Sequence, residues 1–588
     1  MPTIVFINKE FISKKEELNL VAKHKDGSVK FYIPQNSVYE GDTLHCNTVP
    51  DSRDYPDYRS ELMQFIERFY AELSETEYAS YKSIDLLSVI KYDLMNSLEK
   101  YFHPLWALMR IIRENPNVET VFYYPEAKTN RNFQFIVVPI KKEKNVNIIL
   151  CDKSKFGFHS TLKTKAFALK ETIKHVSVIF SKRTELKPCY HTVFVENYAN
   201  SAKLIKPVLM EFLQSNIPTL FVAMRKKVVE AEPEIFSSNT IVLPEFTSHL
   251  IIPSAFNSRK FYSGISKFFG SYQFQSFIIE NVDFNGYLKA TLLKALKGLI
   301  KNAIRAIDSF EYLFGVTRID NLLSTTFSGI YARAAVEVAK KHNCKTHYLQ
   351  HGVLGKWGFL NDFVQENIYV WGERFKRDIL KVEKNKQKNI KVVGMQDVNF
   401  EFNNGNENNL FEQNQKKVVS LFLSRMGGTV VTKAATKKMI ETVVDVVREL
   451  NFQKTIVTLK IKVHPGNLLS QIEDLIRLKD SNVRVIKDCS TSDLILESMA
   501  CMVSSSTVGL QVCAAEKPLI YLDMEGGSTL IDYKEYDAAY NVKNREDLKE
   551  ILELLILKSE HPKKTNQQNF SREVLNSGLT KNLFQLLK

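Results

Sequence analysis

Apolar and polar positions follow two regimes that alternate along this chain. Residues 456–463 (IVTLKIKV) form a β-rich run that stops at His464-Pro465-Gly466-Asn467. Short aliphatic runs bounded by turn residues and followed by a 3.6-residue periodicity predict buried strands joined by helices. The pattern continues with a helical stretch over 468–478 and a short one over 493–499. The apolar run Cys501-Met502-Val503 then meets Ser504-Ser505-Ser506-Thr507, a helix over 508–515 and a strand over 519–523. Strand-loop-helix units in series predict an α/β fold with a parallel sheet. Such sheets receive ligands beyond the carboxyl ends of their strands.

The same alternation recurs upstream. Residues 3–7, 118–124, 133–140 and 146–151 read as strands. Residues 59–114 are mostly helical, with Leu62, Phe65, Ile66 and Phe69 at helical spacing. From 191–196 a strand, a loop, a helix (202–214) and a strand (219–224) open a second series, with a further strand at 240–243. A long helix is predicted over 286–307. After it come a strand over 316–319 ending at Asp320-Asn321, a helix over 328–341 and a strand over 346–349 ending at Gln350-His351-Gly352. Strands over 368–370 and 390–393 flank a charged helix over 376–388. The polar, asparagine-rich segment 401–416 reads as a linker. A third series begins with a strand at 418–423, followed by Ser424-Arg425-Met426-Gly427-Gly428 and a helix over 432–450. The tail is helical over 545–557 and 572–587. The expected organisation is an additional α/β region over 1–185, a Rossmann-like domain over 186–400, the linker, and a second Rossmann-like domain with C-terminal helices over 417–588.

A length of 588 residues exceeds what one core serves and agrees with several domains. The net charge of +14 favours an anionic partner or simply a lysine-rich surface. The charge gains a location in the 286–307 helix. There Lys294, Lys297, Lys301 and Arg305 form a stripe opposite Leu292, Leu296, Ile300 and Ile304. One reading is docking on an anionic membrane surface; the plainer one is a packed helix with a solvated face. Seven scattered cysteines without a CxxC pair, three of them (Cys151, Cys501, Cys513) in apolar runs, point to buried thiols in a reducing compartment. The N-terminal residues lack the apolar core of a signal peptide, and no apolar run is long enough to span a bilayer. A cytoplasmic protein, soluble or peripheral on the inner face of the membrane, is the expectation.

Several chemistries lack their sequence signature. There is no HExxH or DxD, no GxSxG elbow, no Walker A loop, no GxGxxG fingerprint and no RNA-binding signature. No metal and no cofactor are expected. What remains is a set of polar strand ends. Ser504, Ser505, Ser506 and Thr507 open a helix, where free N–H groups suit an anion. One hydroxyl suffices for capping, and four exceed that need. His464, with Pro465 and Gly466, can donate to a phosphate oxygen. Arg425 can pair with one, and Gly427 and Gly428 permit close backbone approach beside Ser424. Upstream, Asp320, His351 and Glu196 sit at predicted strand ends as candidates for a general base. Each has a plainer reading as a cap or a satisfied strand-end residue.

Two Rossmann-like halves, a linker and phosphate-type loops in the second half resemble the GT-B glycosyltransferase fold. Tyr348-Leu349-Gln350-His351-Gly352, Tyr369-Val370-Trp371-Gly372 and Val392-Val393-Gly394 resemble a series found in bacterial surface-polysaccharide transferases. His464-Pro465 with Ser504-Ser505-Ser506-Thr507 is similar to the His-Pro and Ser-Ser motifs of bacterial sialyltransferases and polysialyltransferases. Kdo transferases and CDP-glycerol glycerophosphotransferases carry comparable features. The resemblance covers roughly residues 190–530. It implies a metal-independent transferase that takes a sugar from a nucleotide donor, CMP-activated and sialic acid- or Kdo-like, to a growing surface glycan or lipid-linked acceptor. Polyol-phosphate transfer from a CDP-polyol, with His351 as base, and sugar-nucleotide 2-epimerisation belong to the same fold. From another class, a non-catalytic assembly or nucleic-acid-binding protein would use the basic surface. The acidic motif that supplies the sialyltransferase base has no clear match here.

Overall fold

A computed structural model describes residues 3–7, 29–33, 46–48, 56–114, 119–125, 146–151, 185–230, 239–271, 278–279, 282–283, 285–352, 363–382, 387–395, 417–424, 433–452, 457–464, 467, 469, 472, 482–504, 506–523, 533–558, 560–575 and 579–588. The predicted strand at 133–140 and the linker at 401–416 lie outside these residues, as does most of the helix at 468–478. Three larger sheets organise the chain.

The first sheet holds β1 (Thr3–Ile7), β2 (Val29–Ile33), β3 (Cys46–Thr48), β4 (Glu119–Pro125) and β5 (Val146–Cys151), in the order β3-β2-β1-β4-β5. All four of its pairings are parallel. Helices α1 (Pro56–Ser74) and α2 (Leu86–Glu114) lie between its strands in sequence. A two-stranded hairpin, Ser80–Tyr81 with Ile84–Asp85, interrupts the helical stretch predicted for 59–114.

The second sheet has seven strands. They are β6 (Cys189–Glu196), β7 (Thr219–Ala223), β8 (Thr240–Val242), β9 (Arg318–Ser324), β10 (Lys345–Leu349), β11 (Asn367–Val370) and β12 (Asn389–Val392). Their order is β8-β7-β6-β9-β10-β11-β12. The pairings β8–β7, β7–β6, β6–β9 and β11–β12 are parallel. β6 and β7 are apolar and buried nearly throughout, as strands covered on both faces must be. Helices α3 (Ala199–Gln214), α4 (Ile251–Ser271), α5 (Asn285–Val316) and α6 (Ile330–Lys341) belong to this part of the chain. α5 outruns its prediction at the C-terminal end. Its apolar face (Leu292, Leu296, Ile300, Ile304, Ile307) is fully buried, and it packs on α4, α6 and α2. Each such aliphatic side chain contributes about 1.5–3 kcal/mol of burial.

Polar contacts fasten α2 to α6. Arg333 is buried, donates to the Ser88 carbonyl and, at 3.0 Å, to the Ser88 hydroxyl, and lies over the Tyr92 ring. Gly329, at φ +89°, takes a left-handed conformation that favours glycine, and leads the chain into α6. The Ile330 N–H then donates to the Asp93 carboxylate at 2.8 Å, so a side chain of α2 caps α6.

The third sheet contains β13 (Lys417–Phe422), β14 (Val457–Lys462), β15 (Val483–Ile486), β16 (Ala500–Val503), β17 (Leu519–Leu522) and β18 (Tyr540–Val542). The order is β15-β14-β13-β16-β17-β18, and every pairing is parallel. This is the parallel sheet that the alternation in 418–423 and 456–523 predicts, with β15 and β18 added. Helices α7 (Glu373–Leu380), α8 (Lys433–Phe452), α9 (Thr491–Glu497), α10 (Val508–Ala514), α11 (Arg545–Leu552), α12 (Lys564–Val574) and α13 (Leu579–Leu587) complete the set. Val443, Val444 and Val447 of α8 share a core with Val419, Leu421, Leu459 and Ile461 of the central strands. The tail helix predicted over 572–587 is in fact two helices, α12 and α13. α12 packs on α7, where a Cβ on Gly372 would overlap the Val574 carbonyl.

The chain divides into two compact units, Met1–His347 and Tyr348–Lys588, the division falling within β10. Cys501 and Cys513 are buried, as their apolar runs predict.

Candidate functional site

In the third sheet, register brings the candidate loops level. Phe422 of β13 pairs with Lys462 of β14 on one side and with Val503 of β16 on the other. Ser424 and His464 each lie two residues beyond this level, and Ser504 lies one beyond. Neighbouring parallel strands therefore deliver three polar loops to one edge, the position at which such sheets bind ligands.

Side chains join these loops. The Ser424 and Ser504 hydroxyls are 3.2 Å apart. Asn467 is buried, and its Nδ2 donates to the Ser424 carbonyl at 3.2 Å while its backbone N–H donates to the His464 carbonyl at 2.9 Å. Lys487, beyond the end of β15, donates from Nζ to the Asn467 carbonyl at 3.0 Å. A cation, an amide and two hydroxyls thus meet at one edge, a donor set matched to phosphate oxygens. Ser506 accepts from the Val508 N–H at 3.3 Å, so one hydroxyl of the series serves the turn into α10. Thr507 makes no side-chain cap. Arg425, Gly427, Gly428, Pro465, Gly466 and Ser505 lie outside the described residues. Asn467 and Lys487 are absent from the sequence-derived set. Asn467 stands at the end of the turn string that begins with His464, and Lys487 follows β15, a four-residue strand with little periodicity.

In the second sheet, Glu196 is the last residue of β6 and only 1 % exposed. Its Oε1 accepts from the Thr325 N–H, 2.8 Å away at the end of β9. Its Oε2 has no hydrogen-bond partner among the described residues. Burial pushes this carboxyl up to about 8, against the opposing pull of Thr325 and the Asn197 backbone, so it is mostly protonated at neutral pH.

Asp320 requires a correction. It is not at a strand end but is the third residue of β9, which runs from Arg318 to Ser324. It pairs with Arg318 at 3.0 Å. Five residues at about 3.3 Å each place it roughly 16 Å from Thr325, toward the amino end of the strand, so it does not share an edge with Glu196. Asp-Asn reads as a turn, yet Asn321 is a satisfied strand residue. Its Nδ2 donates to the His191 carbonyl at 3.0 Å, and its Oδ1 lies 3.1 Å from Nε2 of His347. That arrangement puts the proton of His347 on Nε2. Burial lowers the His347 pKa to about 4, so the ring is neutral.

His351 follows β10 and is exposed. The buried Gln350 beside it fixes its backbone. Gln350 accepts the Trp371 N–H at 2.9 Å, donates from Nε2 to the Gly352 carbonyl at 3.0 Å, and donates from its own N–H to the Tyr369 carbonyl at 2.9 Å. Among the described residues no cluster of His, Cys, Asp and Glu could hold a metal ion, and no helix is long and apolar enough to cross a membrane.

No protein-family model and no curated protein matches the chain. Solved structures similar to it include a UDP-GlcNAc 2-epimerase from Neisseria meningitidis bound to UDP-GlcNAc, at 13% identity and TM-score 0.43, covering 67% of this chain and 99% of that one. A glycosyltransferase from Rickettsia africae stands at 11% and 0.41, covering 68% and 98%. The wall teichoic acid polymerase TagF stands at 13% and 0.38, covering 73% and 96%. Similarity at this level describes what the chain is like and carries nothing to its site or its activity.

Proposed function

We propose that the chain is a GT-B-type transferase that moves a glycosyl group from a nucleotide donor to a glycan acceptor. The observation that carries this reading is the meeting of Ser424, Asn467 and Ser504 at level strand ends of an all-parallel sheet. The donor phosphate would accept hydrogen bonds from this edge, with His464 and Lys487 beside it. As the bond from the anomeric carbon to the donor phosphate breaks, negative charge grows on the departing nucleotide. Preorganised donors stabilise that charge without reorganising.

The acceptor hydroxyl attacks the same carbon and gives up its proton to a base. His351 is exposed and held by Gln350, so it can meet a substrate; Glu196 is enclosed, and its carboxyl holds the Thr325 N–H. We therefore assign the base to His351 and a positioning role to Glu196. The sequence motifs favour a CMP-activated sugar of the sialic acid or Kdo kind and a surface glycan as acceptor. The domain limits 1–185, 186–400 and 417–588, a cytoplasmic location and independence from metals and cofactors belong to the same reading.

The test is thermal denaturation with CMP, CDP, UMP and UDP. Selective stabilisation by the cytidine nucleotides is expected, growing with ligand concentration. Stabilisation by uridine nucleotides alone would move the reading toward epimerase-type donors. No shift with any of the four would remove the nucleotide site.

A further inference from the structure

We infer that Lys462 is a positioning residue for the phosphate edge of the third sheet. It holds the turn 487–489 and through it the ammonium of Lys487, a role that rests on the nucleotide reading of that edge. Lys462 is the last residue of β14 and only 9% exposed. An ammonium leaves water at high cost unless its N–H bonds are taken up. Three acceptors take them up here. Nζ donates to the Cys489 carbonyl at 2.8 Å and to the Lys487 carbonyl at 3.2 Å, and lies 3.5 Å from the Cys489 Sγ. Lys460, two residues earlier and so on the same face of the strand, pairs instead with the Glu497 carboxylate of α9. One lysine of this face meets a charge; the other meets two carbonyl dipoles and a thiol.

The place of Lys462 in the ladder explains the difference. It pairs with Ile486, the last residue of β15, and the Val463 N–H donates to the Ile486 carbonyl at 2.8 Å. Beyond Ile486 the carbonyls of Lys487 and Cys489 have left the ladder. The Lys462 side chain supplies the donor where the strand's own N–H groups stop. The Cys489 N–H turns back onto the Lys487 carbonyl at 3.2 Å. Ser490 then caps α9 by accepting from the Asp493 N–H at 3.2 Å. The turn is therefore held from beneath by one ammonium and at its far end by a helix cap.

What the turn carries is Lys487. Its Nζ donates to the Asn467 carbonyl at 3.0 Å, Asn467 Nδ2 donates to the Ser424 carbonyl at 3.2 Å, and the Ser424 and Ser504 hydroxyls are 3.2 Å apart. An unbroken series of contacts thus leads from the buried ammonium of Lys462 to the donors at the edge. An ammonium has three N–H bonds, and the Asn467 carbonyl takes one of those on Lys487, so the same group can also meet a phosphate oxygen. A long, flexible side chain loses less freedom on binding when its backbone is already fixed. Without Lys462 the two carbonyls must turn to water, the turn relaxes, and Lys487 loses its fixed starting point.

The test is isothermal titration of CDP, with pyrophosphate in parallel, into the full-length wild type, Lys462→Met, Lys487→Ala and the double variant. Methionine keeps the length of the side chain and removes its charge. Each single variant should bind CDP about tenfold more weakly. The double variant should also lose about tenfold rather than about 100-fold, because both changes remove one contact. Amide hydrogen exchange at Asp488 and Cys489 should quicken in Lys462→Met and stay at the wild-type rate in Lys487→Ala. A role in folding alone would lower the melting temperature of Lys462→Met and leave its affinity unchanged. Wild-type affinity in Lys462→Met, an additive loss in the double variant, or equal exchange in all the proteins would overturn the inference. Should Lys462→Met not fold, Lys462→Gln, neutral and shorter but polar, takes its place with the same outcomes. Wild-type protein that binds pyrophosphate but no nucleotide would sink the nucleotide reading alone, and the same comparison made with pyrophosphate would still decide the role of Lys462. Binding of neither ligand would remove both.

Discussion

The second and third sheets present the same architectural opportunity and use it differently. Both are built from parallel pairings, and both place polar residues beyond strand ends. In the second sheet two carboxylates of the chain accept backbone N–H groups there. The Asp93 carboxylate occupies the N-terminus of α6, and Glu196, enclosed, takes the Thr325 N–H. An anion has nothing left to claim where a carboxylate already sits. In the third sheet the hydroxyls of Ser424 and Ser504 and the amide of Asn467 meet each other and lie beside Lys487. Two related frameworks thus diverge through what their edges hold: carboxylates on backbone N–H groups in one, hydroxyls, an amide and a lysine in the other.

His351→Ala should have the largest effect, a fall in turnover of about 100-fold or more with donor affinity retained, since general-base catalysis is worth that much; steady-state kinetics with saturating donor measures it, and wild-type turnover would reassign the base. Next, Asn467→Ala should weaken donor binding about tenfold and lower stability by about 1–3 kcal/mol, because the bond from the buried Asn467 amide to the Ser424 carbonyl is lost. Unchanged affinity in a folded variant would remove Asn467 from the site.

Glu196 gives a pH signature. Its folded-state pKa is raised to about 8 from 4.5, so the unfolded chain releases this proton first as pH rises. Its contribution to stability is most favourable below the unfolded value, declines between pH 4.5 and about 8, and is constant above that. The local slope is at most about 1.4 kcal/mol per pH unit. Denaturant unfolding across this window should show the wild type losing stability relative to Glu196→Gln; parallel curves would mean that the carboxyl is ionised in the fold. Smaller still, Asp93→Ala should cost about 1 kcal/mol as a lost helix cap. Asp320→Ala, which removes only a partly exposed ion pair, should change stability by less than about 1 kcal/mol and leave turnover intact. A large loss of turnover at Asp320 would restore it as a catalytic group.

Much of this contrast was legible in the sequence, and the failures have physical causes. The strands β13, β14, β16 and β17 are aliphatic runs with abrupt polar ends, so both their existence and the level of Ser424, His464 and Ser504 could be anticipated. Asp320-Asn321 carries the composition of a turn, so the sequence pattern ends β9 short of its true limit at Ser324. The strand state of the pair depends on partners, His191 and His347, that only tertiary structure supplies. β15 is four residues with an arginine inside and gives little periodicity. The enclosure of Glu196 and the capping by Asp93 join residues more than a hundred positions apart, which no local pattern encodes.

On the proposed function, the third sheet's edge binds nucleotide phosphate and the second sheet's edge does not. Isothermal titration of CMP and CDP into the wild type, Ser504→Ala, Asn467→Ala and Asp93→Ala measures it directly. The proposed site predicts saturable one-site binding to the wild type and to Asp93→Ala, with affinity reduced about tenfold in both third-sheet variants. Equal affinity across all four proteins, or loss of binding in Asp93→Ala alone, would contradict it.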